Sequence, residues 1–390
     1  PGEVGMTRHG VESIWNGVLN HYRTGFQPSI ALCLRHKGKI ILNRTVGHQR
    51  GNSPQDPPGA QRVVTTPGTP YCVFSASKAV TAMLVHLLDE RGVLHIDDRV
   101  VEYIPEFGRH GKETITLRHV LTHRAGLPFA EGADDSLAML SDWDAVVEML
   151  CDARPRTTHG RRVSYHAITG GFVLGEVIRR VTGKPINDVL REEIGVPLGM
   201  QRFHYGCSPE EAPLVAQAGM TGEPPPFPFS NIFKRALGLD FPRIPEVAND
   251  PRFLCNVVPS GNLICTAEEM SRFYQLLLDL GRFGDRQIFE PRTIRRARNE
   301  SAYLEFDQTL LLPVRYGLGF MLGGDQISLY GTGTPEAFGH LGFTNTITWA
   351  DPAREVAAAL LTTGKSFVPL DFWVQREILS AITAHCQIVA

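Results

Sequence analysis

The sequence predicts a mixed α/β (α+β) fold: an antiparallel sheet flanked by N- and C-terminal helices, with a mostly helical region inserted between its strands. Three observations predict it. A helical repeat and a hairpin-like pair of apolar runs open the chain, a long stretch of helical periodicity fills the middle, and strand-like runs with a last helix return at the end. A chain of 390 residues has room for roughly two to three domain-sized units. The expected division is a discontinuous sheet domain, 1–72 with 255–390, and a helical region, 73–254.

Each element has its own signature. Residues 9–23 carry Val11, Ile14, Trp15, Val18 and Leu19 at helical spacing, and the apolar runs Ser29 to Leu34 and Lys39 to Val46 flank His36-Lys37-Gly38, a helix followed by a hairpin. Residues 49–70 are rich in Pro, Gly, Asn and Gln and read as a connection. From Ser75, the residues Val80, Met83, Leu84, Leu87 and Leu88 mark an amphipathic helix that stops at Arg91-Gly92. Further helical patterns lie near 116–123, 143–152 and 168–182. A helix from Ala267 to Leu280 leads to strand-like runs at Tyr316 to Leu322, Asn345 to Ala350 and Glu355 to Leu361, and a final helix covers about 371–385. Residues 221–251 interleave seven prolines with Phe227, Phe229, Phe233 and Phe241. So many prolines predict a long irregular loop, read as a lid or pocket wall.

The formal net charge is −2, which leaves no basic surplus to neutralise a nucleic-acid backbone. The seven cysteines, Cys33, Cys72, Cys151, Cys207, Cys255, Cys265 and Cys386, contain no Cys-x-x-Cys pair. That pattern predicts reduced thiols and a cytoplasmic setting. No basic run followed by an apolar stretch opens the chain, and no segment reaches the ~18 apolar residues of a membrane span. The expectation is therefore a soluble protein without a membrane span, with a leader removed ahead of Pro1 as the alternative.

A serine hydroxyl is a poor nucleophile at neutral pH and needs a neighbouring base together with donors where negative charge develops. Ser75-Ala76-Ser77-Lys78 offers both: residues i and i+3 share a helix face, and a helix start points free N–H groups at Ser75. Lys78 acts as a base only if burial or a second cation lowers its pKa. By itself Ser-x-x-Lys favours a plainer reading, a capping serine and a solvated lysine.

Longer blocks change that balance. Phe74-Ser-Ala-Ser-Lys-Ala-Val-Thr-Ala-Met, Gly92-Val-Leu-His-Ile-Asp-Asp-Arg-Val and Ile115-Thr-Leu-Arg-His-Val-Leu-Thr-His-Arg-Ala-Gly-Leu-Pro128 resemble the serine β-lactamase and penicillin-binding-protein superfamily. The similarity is greatest to the branch of class C β-lactamases and family VIII carboxylesterases. Tyr165-His-Ala-Ile-Thr-Gly-Gly, Pro197-Leu-Gly-Met200, Pro259-Ser-Gly-Asn-Leu263 and Gly339-His-Leu-Gly342 follow in the matching order. The resemblance implies a β-lactamase/transpeptidase-like fold with Ser75 as nucleophile, Lys78 as its partner and Tyr165 as proton shuttle. It further implies that His340-Leu341-Gly342 is the third, substrate-binding motif, with the backbone N–H groups of Ser75 and Phe343 forming the oxyanion hole.

Two departures shift the substrate expected. Ala167 stands where lactamases carry an asparagine that contacts the substrate's amide, and His340 stands where they carry a lysine that holds its carboxylate. A neutral imidazole binds a carboxylate less well than an ammonium does. The expectation is a carboxylesterase acting on a small-molecule ester or acyl substrate, without a cofactor. An acyltransferase, a β-lactamase or D-amino-acid peptidase, and an idle binding protein are the alternatives. Three other signals are set aside. His119 and His123 have metal-ligand spacing but no third ligand, so no metal is expected. Thr363-Gly-Lys-Ser366 resembles the tail of a phosphate loop, but Ala359 stands where its leading glycine belongs. A Gly-x-Ser-x-Gly elbow is absent.

Overall fold

A computed structural model describes residues 2–127, 136–227, 229–231, 234, 239–326, 328–343, 345–367 and 369–388. Among these residues nine strands build the main sheet. They are β1 (Ser29–His36), β2 (Lys39–Arg50), β3 (Val63–Val64), β4 (Ala302–Asp307), β5 (Leu312–Tyr316), β6 (Met321–Leu322), β7 (Phe338–Gly342), β8 (Thr346–Asp351) and β9 (Val356–Thr362). Their order is β4-β5-β6-β7-β8-β9-β1-β2-β3, antiparallel throughout. β1 pairs with β9 from Ile30 opposite Thr362 to His36 opposite Val356. The N-terminal hairpin and the C-terminal strands therefore share one sheet, as expected.

β1 is buried along its whole length, because helices cover both faces. Ile30, Leu32 and Leu34 join Val11, Ile14 and Val18 of α1 (Arg8–Arg23) and Ile378, Leu379 and Ile382 of α5 (Pro369–His385) in one core. Ala31 and Cys33, pointing the other way, join Met270 and Phe273 of α4 (Ala267–Leu278) in the second core. This alternation is the period-2 pattern of a strand sandwiched between helix layers. Caps fix the helix starts: Thr7 Oγ1 accepts from the Gly10 N–H at 3.0 Å in α1, and Thr266 and Glu269 form a reciprocal capping box in α4.

The helix after Ser75, α2 (Ser77–Glu90), is buried on every side from Ser77 to Leu88. Its apolar stripe predicts one solvated face, yet the remaining positions are Ala, Ser, Thr, Val, Lys and His, which pack or find internal partners. His86 Nε2 meets the Leu318 carbonyl at 2.8 Å. A helix apolar nearly all round belongs in the centre of a protein, and this one packs against α3 (Thr169–Thr182) and the end of β7.

Three expectations need correction. Tyr316 to Leu322 is not one strand: β5 ends at Tyr316, a turn through Gly317 and Gly319 follows, and β6 starts at Met321. Gly319 has φ +105°, and a Cβ there would lie 2.2 Å from that of Ala82, so this turn can press onto α2 only with glycine. The connection 49–70 is not wholly irregular, since β2 runs to Arg50 and β3 adds an edge strand. The 221–251 segment also contains helix: Ile244–Asn249 and Pro251–Leu254 are short helices with Pro245 and Pro251 in their first turns. First-turn N–H groups have no helical partner to lose, so proline fits there. Residues 228, 232, 233 and 235–238 of that segment lie outside the described residues. Among the described residues no helix is long and apolar enough to cross a membrane.

Candidate active site

Ser75 sits in a 3-10 turn, Phe74–Ala76, that feeds directly into α2. Two anchors hold this turn. The Val73 N–H donates to the Leu263 carbonyl at 3.0 Å, and Ser77 Oγ donates to the Phe74 carbonyl while accepting from the Leu263 N–H at 2.9 Å. Phe74 has φ +48°, a left-handed conformation uncommon for a bulky residue. Ser75 is half-buried, whereas Lys78 and Tyr165 behind it are buried.

The Lys78 amine has three oxygen neighbours: the Ser75 hydroxyl at 3.2 Å, the Ala167 carbonyl at 2.7 Å and the Ser260 carbonyl at 3.0 Å. The two carbonyls can only accept. A neutral amine has two N–H bonds and one lone pair, so donating to both carbonyls turns the lone pair toward Ser75. Burial lowers the Lys78 pKa well below that of an ordinary lysine, favouring that neutral form. Gly171 permits this arrangement, since a Cβ there would lie 2.5 Å from Ser260 Cβ and push the Ser260 carbonyl off the amine.

Tyr165 completes the cluster. Its ring centroid lies 4.9 Å from Lys78 Nζ. Burial raises its pKa, hydrogen bonding to Ser75 pulls the other way, and Asp307 adds to the rise. Asp307, at the end of β4, accepts from the backbone N–H groups of Tyr165 at 3.1 Å, Thr309 at 2.8 Å and Leu310 at 2.9 Å. His123, with φ +57°, places its ring 4.7 Å from that of Tyr165 at a tilt of 51°, and its Nδ1 accepts from the His166 N–H at 3.1 Å. His119, the other half of the set-aside metal pair, serves a capping box with Thr116. Among the described residues no cluster of three or more His, Cys, Asp or Glu could hold a metal ion.

His340 lies on β7 with its ring buried, 6.3 Å from the Tyr165 ring. Nδ1 is 2.7 Å from the Leu341 carbonyl, so Nδ1 carries the hydrogen and Nε2 is left as an acceptor. Burial, with the nearby Lys78, pushes its pKa down to about 3. Gly342 ends the strand, and a Cβ there would lie 2.4 Å from the Val73 carbonyl. Glycine therefore lets β7 close against the nucleophile turn and brings Phe343 beside Phe74, with ring centroids 6.3 Å apart. Phe241, from the proline-rich segment, packs 5.5 Å from Phe343.

The Beta-lactamase family model matches residues 18–380 of this chain. This chain belongs to the beta-lactamase family. As a member it is a serine hydrolase by descent. This beta-lactamase family protein is 33% identical over 305 residues to the esterase/beta-lactamase LipL of Mycobacterium tuberculosis, covering 74% of this chain and 68% of LipL. Its fold matches a penicillin-binding protein homologue from Caulobacter crescentus with TM-score 0.81 and 26% identity, over 98% of this chain and 99% of that one. A family VIII carboxylesterase matches equally, with TM-score 0.81 and 23% identity, over 96% and 98% of the two chains.

Ser75, Lys78, Tyr165, His340, Gly342 and Phe343 thus gather around one point although they span 269 positions, from 75 to 343. Sequence reasoning missed Asp307 and the carbonyls of Ala167 and Ser260. Asp307 followed by Thr309 is an Asx-turn pattern that could have been noticed. A backbone carbonyl has no sequence signature.

Proposed function

We propose that this protein is a carboxylesterase that cleaves small esters through an acyl-enzyme on Ser75. One observation carries the reading: the buried Lys78 amine lies 3.2 Å from the Ser75 hydroxyl and has two carbonyls within reach of its N–H bonds, so in its neutral form its lone pair is free to accept the Ser75 proton. Lys78 takes the Ser75 proton as Oγ attacks the ester carbonyl. The resulting oxyanion rests on the N–H groups of Ser75 and Phe343. Tyr165 passes a proton to the departing alkoxide, and the C–O bond of the ester breaks. The proton on Lys78 returns to Tyr165; a water then attacks the acyl-Ser75 ester, its proton passes through the same groups to Ser75 Oγ as the acyl C–O bond breaks, and the acid leaves with Ser75 restored as the hydroxyl.

The choice of an ester over a lactam or a peptide carboxylate rests on the third motif. A neutral His340 that presents only an acceptor offers nothing to a carboxylate, and Ala167 offers no side-chain amide. The esterase relatives support the same choice. We also read 1–72 with 255–390 as one unit and 73–254 as the other, with the site in the cleft between them. The seven free cysteines favour a cytoplasmic setting.

Intact-mass spectrometry with a fluorophosphonate, p-nitrophenyl acetate and a cephalosporin tests this reading. The expected result is a mass adduct mapping to Ser75, a burst of p-nitrophenol, little lactam turnover, and loss of both signals in Ser75→Ala. Ester turnover that survives Ser75→Ala would overturn it.

A further inference from the structure

A second buried lysine lies against the same site. Lys365, within the Thr363-Gly-Lys-Ser366 stretch that superficially resembles a phosphate loop, is fully buried. Its Nζ donates to the Phe343 carbonyl at 2.8 Å and lies 4.4 Å from the centroid of the Phe74 ring. Phe74 precedes the nucleophile, and Phe343 follows the third motif. One ammonium therefore touches both segments that would frame the oxyanion.

The backbone around Lys365 leaves it little freedom. Gly364–Lys365 pairs in parallel with Gly219–Met220. The Gly364 N–H donates to Gln27 Oε1 at 2.9 Å, and a Cβ at Gly364 would lie 1.8 Å from the Phe26 carbonyl. The same segment grips the far end of the Phe343 turn. Asn345 Nδ2 donates to Ser366 Oγ at 3.3 Å and to Asp371, and Gln375 Nε2 donates to the Asn345 carbonyl. Holding a turn in place does not by itself require a buried charge, since an apolar side chain avoids the desolvation cost. An ammonium on a desolvated aromatic face and a carbonyl adds a positive potential where negative charge would develop.

We propose that Lys365 is a positioning residue for the oxyanion hole, fixing Phe343 and Phe74 in mutual register through one ammonium; this rests on the Ser75 acyl-enzyme reading above. The titratable groups facing it are Asp371, whose carboxylate favours its charge, and Cys72 and Tyr71, which line the same small cavity and are held in their neutral forms by burial. Burial nevertheless brings its pKa down to about 8. Loss of the proton weakens the bond to Phe343 and removes the cation–π contact, so activity falls as pH rises through that value.

The test is steady-state hydrolysis of p-nitrophenyl acetate from pH 7 to 10, corrected for the uncatalysed reaction, together with affinity for phenylboronic acid. In the wild type, kcat/KM should fall with loss of one proton near pH 8. K365M should lower kcat roughly 10- to 100-fold, less than deletion of an oxyanion donor itself, change KM less than about threefold, and weaken the boronate by the same factor as kcat. K365R, which stays charged, should recover at least a tenth of wild-type kcat and lose the alkaline limb. A flat wild-type profile, a limb persisting in K365R, or a K365M protein with kcat within threefold of wild type would each overturn the inference. If K365M does not fold, K365R and the wild-type profile decide. Ester turnover in Ser75→Ala would sink the underlying mechanism instead, whereas a dead Ser75→Ala beside a wild-type-like K365M sinks only the role of Lys365.

Discussion

At the scale of single residues, the chemistry depends on what surrounds Lys78. Replacing it with Met should lower kcat/KM by roughly 10²- to 10⁴-fold, the usual worth of a general base. Thermal stability should change little, because the apolar chain relieves the desolvation of the amine while the Ala167 and Ser260 carbonyls lose their donor. Ester assays and thermal melts of the same preparation check both halves. The pH dependence has a definite sign. Neutral Lys78 is the active form, and burial depresses its pKa, so kcat/KM falls as acid protonates it. His166 and His340 are both held near a pKa of about 3 and stay neutral from pH 5 to 8. A profile over that range should lack a histidine limb near pH 6.5, and a limb there that His340→Gln removes would contradict the assignment. The nucleophile, its lysine and the tyrosine were legible because each stands in a recognisable block. The groups that make the lysine a base were not, since two backbone carbonyls carry no side-chain signature and the glycine that admits one of them looks like any other small helix residue.

At the scale of elements, the β4–β5 hairpin links the edge of the sheet to the active site through Asp307. Asp307→Ala would leave three N–H groups without their acceptor, those of Tyr165 and Thr309 buried and that of Leu310 partly so, and the expected cost is about 2 kcal/mol or more, measurable by urea unfolding. The hairpin itself was not read from the sequence, because Tyr303, Leu304, Phe306, Leu311 and Leu312 are exposed and the inward/outward alternation of a half-buried strand is lost. α2 was found in the right place but given a solvated face it does not have. Its small polar residues imitate a wet surface while packing among neighbours. In the proline-rich segment, a count of prolines argued against helix where their positions argued for it, since Pro245 and Pro251 both stand in first turns. Gly171→Ala on α3 is the most direct element-level test of the lysine cradle. The overlap with Ser260 should cost at least tenfold in kcat, with the far-UV spectrum unchanged.

At the scale of the whole molecule, the order of elements and the merging of the two chain ends into one sheet were legible, because hairpin and helix periodicities survive wherever one side of an element is buried. The strand partners and the neighbour of each loop were not, since they are settled by contacts far apart in sequence. The stability of the whole should vary with pH in a direction set by its thiols. Burial pushes the Cys33 and Cys151 thiols up to about 11 and those of Cys72, Cys207 and Cys386 up to about 12. Each holds its proton in the folded state while its unfolded counterpart, at 9.0, loses it. Their contribution is therefore full below pH 9 and is lost as pH rises toward 11 to 12. Cys265 is raised by burial in the same way; Lys78, Lys112 and Lys365 act in the opposite sense, because unfolding restores protons to them, but three amines do not balance six thiols. Melting temperature should fall between pH 9 and 11. These thiols also give the protein built-in reporters of its own breathing. Cys33 lies on strand β1 within the sheet, Cys151 in the helical region and Cys386 just beyond the last helix, all buried and outside any disulfide. A disulfide-exchange reagent can reach each one only when its surroundings open, so the separate modification rates would map which part of the fold loosens first.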